Sequence, residues 1–279
     1  MFYLQIINIK LEADILLEIN KIYNMDCLEG MKYIDDKSID MILCDLPYGT
    51  TNRNKWDVII PYEKLWEHYK RIIKENGAIL LFADEPFTSE LILSNKKWFK
   101  QRITWDKDRG SGFLNAKRML LKQTEDIVLF YNKQPTYNPQ MVEAQPDRIR
   151  PISDKSTESM NYGKVKKVRA GDDYNPQLRY PTNLIKFSSV KGECNNLKRL
   201  HPTQKPVELC EWLIKTYSNK GDLILDNCIG SGTTAIACIN TNRNFIGFEL
   251  DKEYYEIAKN RINKHILDNN LQDKYNLIT

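Results

Sequence analysis

The chain reads as an α/β protein built on a mainly parallel sheet. Two observations predict this. Short apolar runs ended by turn residues alternate with segments whose apolar residues recur at helical spacing. One glycine turn, Gly230-Ser231-Gly232, joins such a run directly to a helical segment. At 279 residues, 42% hydrophobic and 28% charged, the chain can bury a substantial core in one sizeable domain with an insertion, or in two small ones.

The stretch Ile22-Tyr-Asn-Met-Asp-Cys27 opens as a short strand that leads through a turn into a helix. Ile39 to Cys44 is an apolar run halted by Asp45-Leu46-Pro47-Tyr48, the pattern of a strand buried on both faces. Tyr62 to Ile73 has helical spacing, which Asn76-Gly77 should end before the apolar strand Ala78 to Phe82. Phe87 to Leu93 reads as helix, and Gln101 to Trp105 and Asp126 to Tyr131 as strands. After an irregular stretch, Pro206 to Tyr217 begins a helix with proline near its first turn. Asp222 to Asp226 is a strand, Thr233 to Asn240 a helix and Asn244 to Phe248 a strand ended by Glu249. Tyr254 to Leu267 is an amphipathic closing helix.

Several classes are excluded. No apolar run nears the roughly 18 residues of a membrane span, so no membrane partner is expected. The opening MFYLQIINIK lacks a basic start and a cleavage site, so a secretory signal is not expected. Six cysteines without a CxxC pair and three histidines argue against zinc, and for reduced thiols in the cytosol.

Charge is unevenly placed. The net charge is +4, yet Lys133 to Arg199 alone carries 13 Lys/Arg against 7 Asp/Glu. Six of the eleven prolines lie in this stretch, with no long periodic segment. Interspersed Tyr162, Tyr174, Tyr180, Leu184, Ile185 and Phe187 point to partial order. A loop this long within a domain is usually functional or disordered, and its basic excess suits a polyanion. The division expected is 20–132, a basic insertion 133–200, and 201–267.

Two motifs carry chemistry. In Asp226-Asn-Cys-Ile-Gly230-Ser231-Gly232, glycines let backbone approach a ligand, and the helix start should offer unpaired N–H groups. Glu249, 17 residues beyond Gly232, stands where a carboxylate can take the ribose hydroxyls of a nucleoside cofactor. Without Gly-Lys-Ser/Thr, and with Ala235 breaking GxGxxG, phosphate binding fits poorly; flanking acids suit a cofactor bearing an ammonium and a sulfonium. The second motif is Asp45-Leu46-Pro47-Tyr48 at the carboxyl end of a buried strand. An aryl amine is a poor nucleophile because its lone pair is delocalised. Two acceptors, the Asp45 carboxylate and the Leu46 carbonyl, can draw its nitrogen towards tetrahedral geometry. Pro47 would fix the turn, and Tyr48 would stack on a base that has left the helix.

Together these motifs resemble the amino-methyltransferases of DNA (adenine-N6 and cytosine-N4), in the permuted β-type order with the catalytic tetrapeptide first. The resemblance spans about three quarters of the chain. It implies a Rossmann-like methyltransferase fold with helices on both faces, S-adenosylmethionine as cofactor, and DNA as substrate. Met25-Asp26-Cys27-Leu28-Glu29-Gly30 resembles the segment whose acid binds the cofactor's adenine, implicating Asp26 and Cys27. His201-Pro202-Thr203-Gln204-Lys205-Pro206 resembles the segment near its methionine part, implicating Thr203 and Lys205. Asp226, Cys228, Gly230, Ser231, Gly232, Thr233, Glu249 and Leu250 complete the implied cofactor set, and Tyr254, Ala258 and Arg261-Ile262 fit the closing helix.

The insertion occupies the family's target-recognition position. Two positions depart from the pattern: Leu46 replaces the usual proline, and Cys228 replaces a phenylalanine, leaving room beside the methionine. An initial Asp tilts the target to adenine. A cytosine amino-methyltransferase and a catalytically silent DNA-binding relative are the alternatives. A homodimer and a partner restriction endonuclease are the protein partners such a restriction-modification enzyme admits.

Overall fold

The structure, a computed structural model, describes residues 17–49, 57–146, 149, 157–159, 163–165, 175–189 and 204–278. Its centre is an eight-stranded sheet. The strands are β1 (Lys21–Asn24), β2 (Ile39–Asp45), β3 (Ile73–Ala83), β4 (Phe99–Ser111), β5 (Lys122–Phe130), β10 (Leu184–Lys186), β11 (Leu223–Asp226) and β12 (Asn244–Glu249). They lie in the order β1-β12-β11-β2-β3-β5-β4-β10. All neighbours pair in parallel except those of β5, which runs against both β3 and β4.

Alternation within each strand explains why helices cover both faces. Met41 and Leu43 of β2, Ala78, Leu80 and Phe82 of β3, and Ile224 of β11 pack one way, against α4 (Val207–Tyr217), α5 (Thr233–Thr241) and α6 (Lys252–Asp268). The intervening Ile42, Cys44, Ile79, Leu81 and Leu225 pack the other way, against α1 (Cys27–Met31), α2 (Tyr62–Ile72) and α3 (Phe87–Ser94). A period of two therefore places successive side chains in two cores. Among the described residues no helix is long and apolar enough to cross a membrane.

Two expectations change. Asn76-Gly77 does not stop the helix: α2 ends at Ile72, and β3 begins at Ile73 with both residues inside the strand. Pairing with β2 is irregular there, and a Cβ on Gly77 would stand 2.9 Å from the Asp40 carbonyl oxygen, so glycine answers a close approach. Within the expected insertion, β10 leaves the irregular stretch and joins the sheet edge beside β4, with Ile185 buried.

A second compact unit comprises Pro139–Thr182. In it, β6 (Val142–Glu143) pairs antiparallel with β9 (Leu178–Arg179), and β7 (Thr157–Ser159) with β8 (Gly163–Val165).

Candidate active site

Parallel strands bring Asp45, Asp226 and Glu249, the last residues of β2, β11 and β12, to one edge of the sheet. All three line a cavity of about 370 Å³. Glu249 is held from both ends: Oε2 accepts the Gly230 N–H at 2.9 Å and Oε1 the Asp251 N–H at 2.9 Å. Burial raises its pKa. Each oxygen retains a lone pair for a further donor, as two vicinal hydroxyls would supply. Asp226 Oδ1 accepts the Cys228 N–H at 3.1 Å, and burial pushes the carboxyl up to about 7. A cation in the cavity would restore its ionised form.

The glycine turn differs from expectation in one respect. The Cys228, Ile229, Gly230 and Gly232 amides are already engaged, by Asp226, the Phe248 carbonyl, Glu249 and the Ile229 carbonyl. This turn is tied off internally and is no phosphate cradle, which fits a cofactor without pyrophosphate. Ser231 and Thr233 line the cavity and are clamped from α6, where Arg261 donates to the Ser231 carbonyl at 3.0 Å and to Thr233 Oγ1 at 2.9 Å. Gly232 does not line it; at φ 80° it starts α5 and packs against Ile262. Cys228 lines the cavity, with its thiol beside those of Cys27 and Cys44. Asp26 lines the cavity while capping α1, its Oδ1 accepting the Leu28 and Glu29 N–H groups at 2.8 and 3.1 Å. Leu250 forms wall beside it, and Thr203 lies outside the described residues.

Asp45, Leu46, Pro47 and Tyr48 face this same cavity. The Tyr48 hydroxyl donates to Asp45 Oδ1 at 2.8 Å, and its ring is stacked on Phe87 at 5.0 Å between centroids. Leu46 is buried, so its side chain anchors the turn that proline would otherwise stiffen.

Residues 39–260 match the model of the N6/N4-type DNA methylases. The chain belongs to that DNA methylase family. It is 32% identical over 269 residues to the Type II methyltransferase M1.MboII of Moraxella bovis, covering 89% of this chain and 98% of that protein. To the DNA adenine methyltransferase YhdJ of Escherichia coli K12 it is 30% identical over 260 residues, covering 88% and 83%. The crystal structure of the M1.HpyAVI–SAM complex superposes with a TM-score of 0.58 at 26% identity, covering 87% and 98%.

In this methylase the same strand edge also brings together groups whose meeting the sequence did not reveal. Lys205, expected near the cofactor's methionine part, has its ammonium 3.1 Å from Asp45 Oδ1 and paired with Glu125. Glu125, from the antiparallel β5, also lies 3.2 Å from the Tyr48 hydroxyl and 3.5 Å from Lys107 Nζ. Burial raises the Asp45 pKa, opposed by Lys205 and reinforced by Glu125. Burial would raise Glu125 as well, but the Lys205 ammonium outweighs it and holds this carboxyl below its usual range. Asp57 accepts the Gly49 N–H at 2.8 Å and brings the 57–61 segment to the cavity wall, and Asn227 accepts the Tyr69 hydroxyl at 2.5 Å beneath it. No periodicity or motif marks Glu125, because its role depends on a strand pairing made across the sheet.

Proposed function

We propose that this methylase transfers a methyl group from S-adenosylmethionine to the N6 amino group of adenine in DNA. One observation carries the reading: a single cavity presents Asp226 and Glu249 on one side and Asp45-Leu46-Pro47-Tyr48 on the other. The residues fit the cofactor. Glu249 suits its ribose hydroxyls, the buried Asp226 its ammonium, and Asp26, Cys27 and Leu250 the rim of its adenine. When bound, S-adenosylmethionine supplies an electrophilic methyl group carried on a sulfonium.

The chain's own groups prepare the acceptor. Asp45 and the Leu46 carbonyl take hydrogen bonds from the two amino hydrogens, which frees the nitrogen lone pair to attack the methyl carbon. The proton lost from nitrogen passes to the Asp45 carboxylate and from there to water. Tyr48, backed by Phe87, offers a face on which an extruded base stacks. The basic stretch 133–200 supplies target recognition. A partner restriction endonuclease, a second copy of the chain and a cytosolic setting belong to the same reading.

Adenine is favoured by the initial Asp45 and by the likeness to YhdJ, which is named as an adenine methyltransferase. Methylome sequencing of a host expressing the chain tests this. N6-methyladenine in a defined context is expected; N4-methylcytosine would reassign the base, and no modification would leave the DNA-binding relative.

A further inference from the structure

Beyond the cavity, the ribbon formed by β4 and β5 outruns the sheet. Ala83, the last residue of β3, pairs with Asp126, which pairs with Thr104 of β4. On the other side β10 accompanies β4 only to Asp106. Among the described residues no strand flanks the ribbon beyond Asp106. Its β5 side runs from Ile127, level with Asp45, to Lys122, which at 3.3 Å per residue is roughly 16 Å past that edge. A bulge between Asp106 and Ser111 sets five residue steps of β4 against two of β5. Its tip, residues 112–121, turns through Gly112 at φ 88° and a short 3₁₀ helix, Phe113–Asn115.

This tip is apolar and exposed. Phe113 is 70% exposed, Met119 64% and Leu120 95%, while Leu114 is fully open to water. Arg109, Lys117 and Arg118, all exposed, flank them along the chain. Asp108, the only acid from residue 107 to residue 122, is paired with Lys186. A projecting ribbon with large apolar side chains in water marks a surface that something covers. Cations around apolar side chains, at the edge that carries the catalytic turn, fit duplex DNA: phosphates outside, stacked bases within.

We propose that this tip is a wedge that enters the duplex beside the target base. Phe113, Leu114 and Leu120 fill the space the base vacates, and Arg109, Lys117 and Arg118 hold the flanking phosphates. The wedge assists extrusion of the base into the cavity. It rests on the DNA reading above and adds a residue-level route by which the base leaves the stack.

The test uses the full chain carrying Phe113→Ser, Leu114→Ser and Leu120→Ser together; because these side chains are exposed, folding and cofactor binding should be unchanged. Two duplexes carry the methylated site found by methylome sequencing, one fully paired and one with the target opposite an abasic position. The variant should lose about tenfold or more in single-turnover rate on the paired duplex, and stay within about twofold of wild type on the other, whose base is already loosened. Equal loss on both duplexes, or no loss on either, overturns the wedge. So does a wild-type dimer that becomes a fully active monomer in the variant, which would give the surface to a second copy. Wild type that methylates no DNA sinks the functional reading instead. The wedge is then judged by fluorescence anisotropy with a random duplex, and unchanged affinity on replacing Arg109, Lys117 and Arg118 by serine overturns it.

Discussion

On the proposed mechanism Asp45 acts only once an amine is in the cavity, so its loss should appear in rate and not in folding. Asp45→Ala should slow single-turnover methyl transfer by about 10²–10³-fold, the 3–4 kcal/mol lost with one preorganised partner in comparable sites. Asp45→Asn should also be slow but milder than alanine, since an amide oxygen still accepts the hydrogen bond although it cannot take the proton. The neighbouring charges set the pH at which Asp45 serves. Burial raises its pKa, Lys205 lowers it and Glu125 raises it. Tyr48 and Asp226 also face this group, and Lys107 faces Glu125. Because transfer needs the carboxylate, Lys205→Met should move the acidic limb of the pH–rate profile to higher pH, and Glu125→Gln should move it lower. Shifts in the same direction would show that neither charge acts on Asp45. Asp226 offers a second titration. Its folded pKa of about 7 lies above the ordinary 3.8, so between these values the folded chain holds a proton that the unfolded chain releases. Stability therefore falls as pH rises through that window. A bound ammonium would reverse the shift, so cofactor affinity should climb from about pH 6 to 8 with proton release. Calorimetry in buffers of differing ionisation enthalpy reads the protons, and Asp226→Asn should abolish the dependence.

Among elements, α1 is held to β12 by the absence of a side chain. A Cβ on Gly30 would stand 2.4 Å from the buried Phe248 ring, so the helix lies almost directly on the strand that ends in Glu249. That contact also places Asp26, the cap of α1, at the cavity. Gly30→Ala should destabilise the fold by about 1–3 kcal/mol, as overpacking does, and weaken cofactor binding. Thermal unfolding would show it, and Phe248→Leu in the same chain should recover part of the loss. An unchanged melting temperature would mean that α1 is free to shift.

At the scale of the whole molecule, the unit Pro139–Thr182 has its own strand pairings, while the strand ends that carry Asp45, Asp226 and Glu249 belong to the other unit, Met1–Asn138 with Asn183–Thr279. Replacing residues 139–182 by a flexible linker should therefore spare cofactor binding and remove recognition of the target sequence. Calorimetry and methylome sequencing read the two effects separately. A shortened chain that still modifies the same sequence would place recognition elsewhere.

The sequence by itself determined the alternation of buried strands and helices and the motif-bearing ends Asp45, Asp226 and Glu249, because these follow from local periodicity and from turn residues next to it. It also marked Lys205, but as a group near the cofactor. Only the tertiary structure decided that the Lys205 ammonium stands between Asp45 and Glu125. That triad needs β5 reversed beside β3, an arrangement set by long-range pairing and a hairpin with no intervening α-helix, which no local pattern encodes. The same holds for Asn76-Gly77, a helix stop in sequence but a tight strand contact in the fold. It holds too for Ile185, a buried sheet residue inside an irregular stretch. Periodicity reports which face of an element is apolar; which element covers that face, and which charges meet at its end, is settled only when distant segments pack.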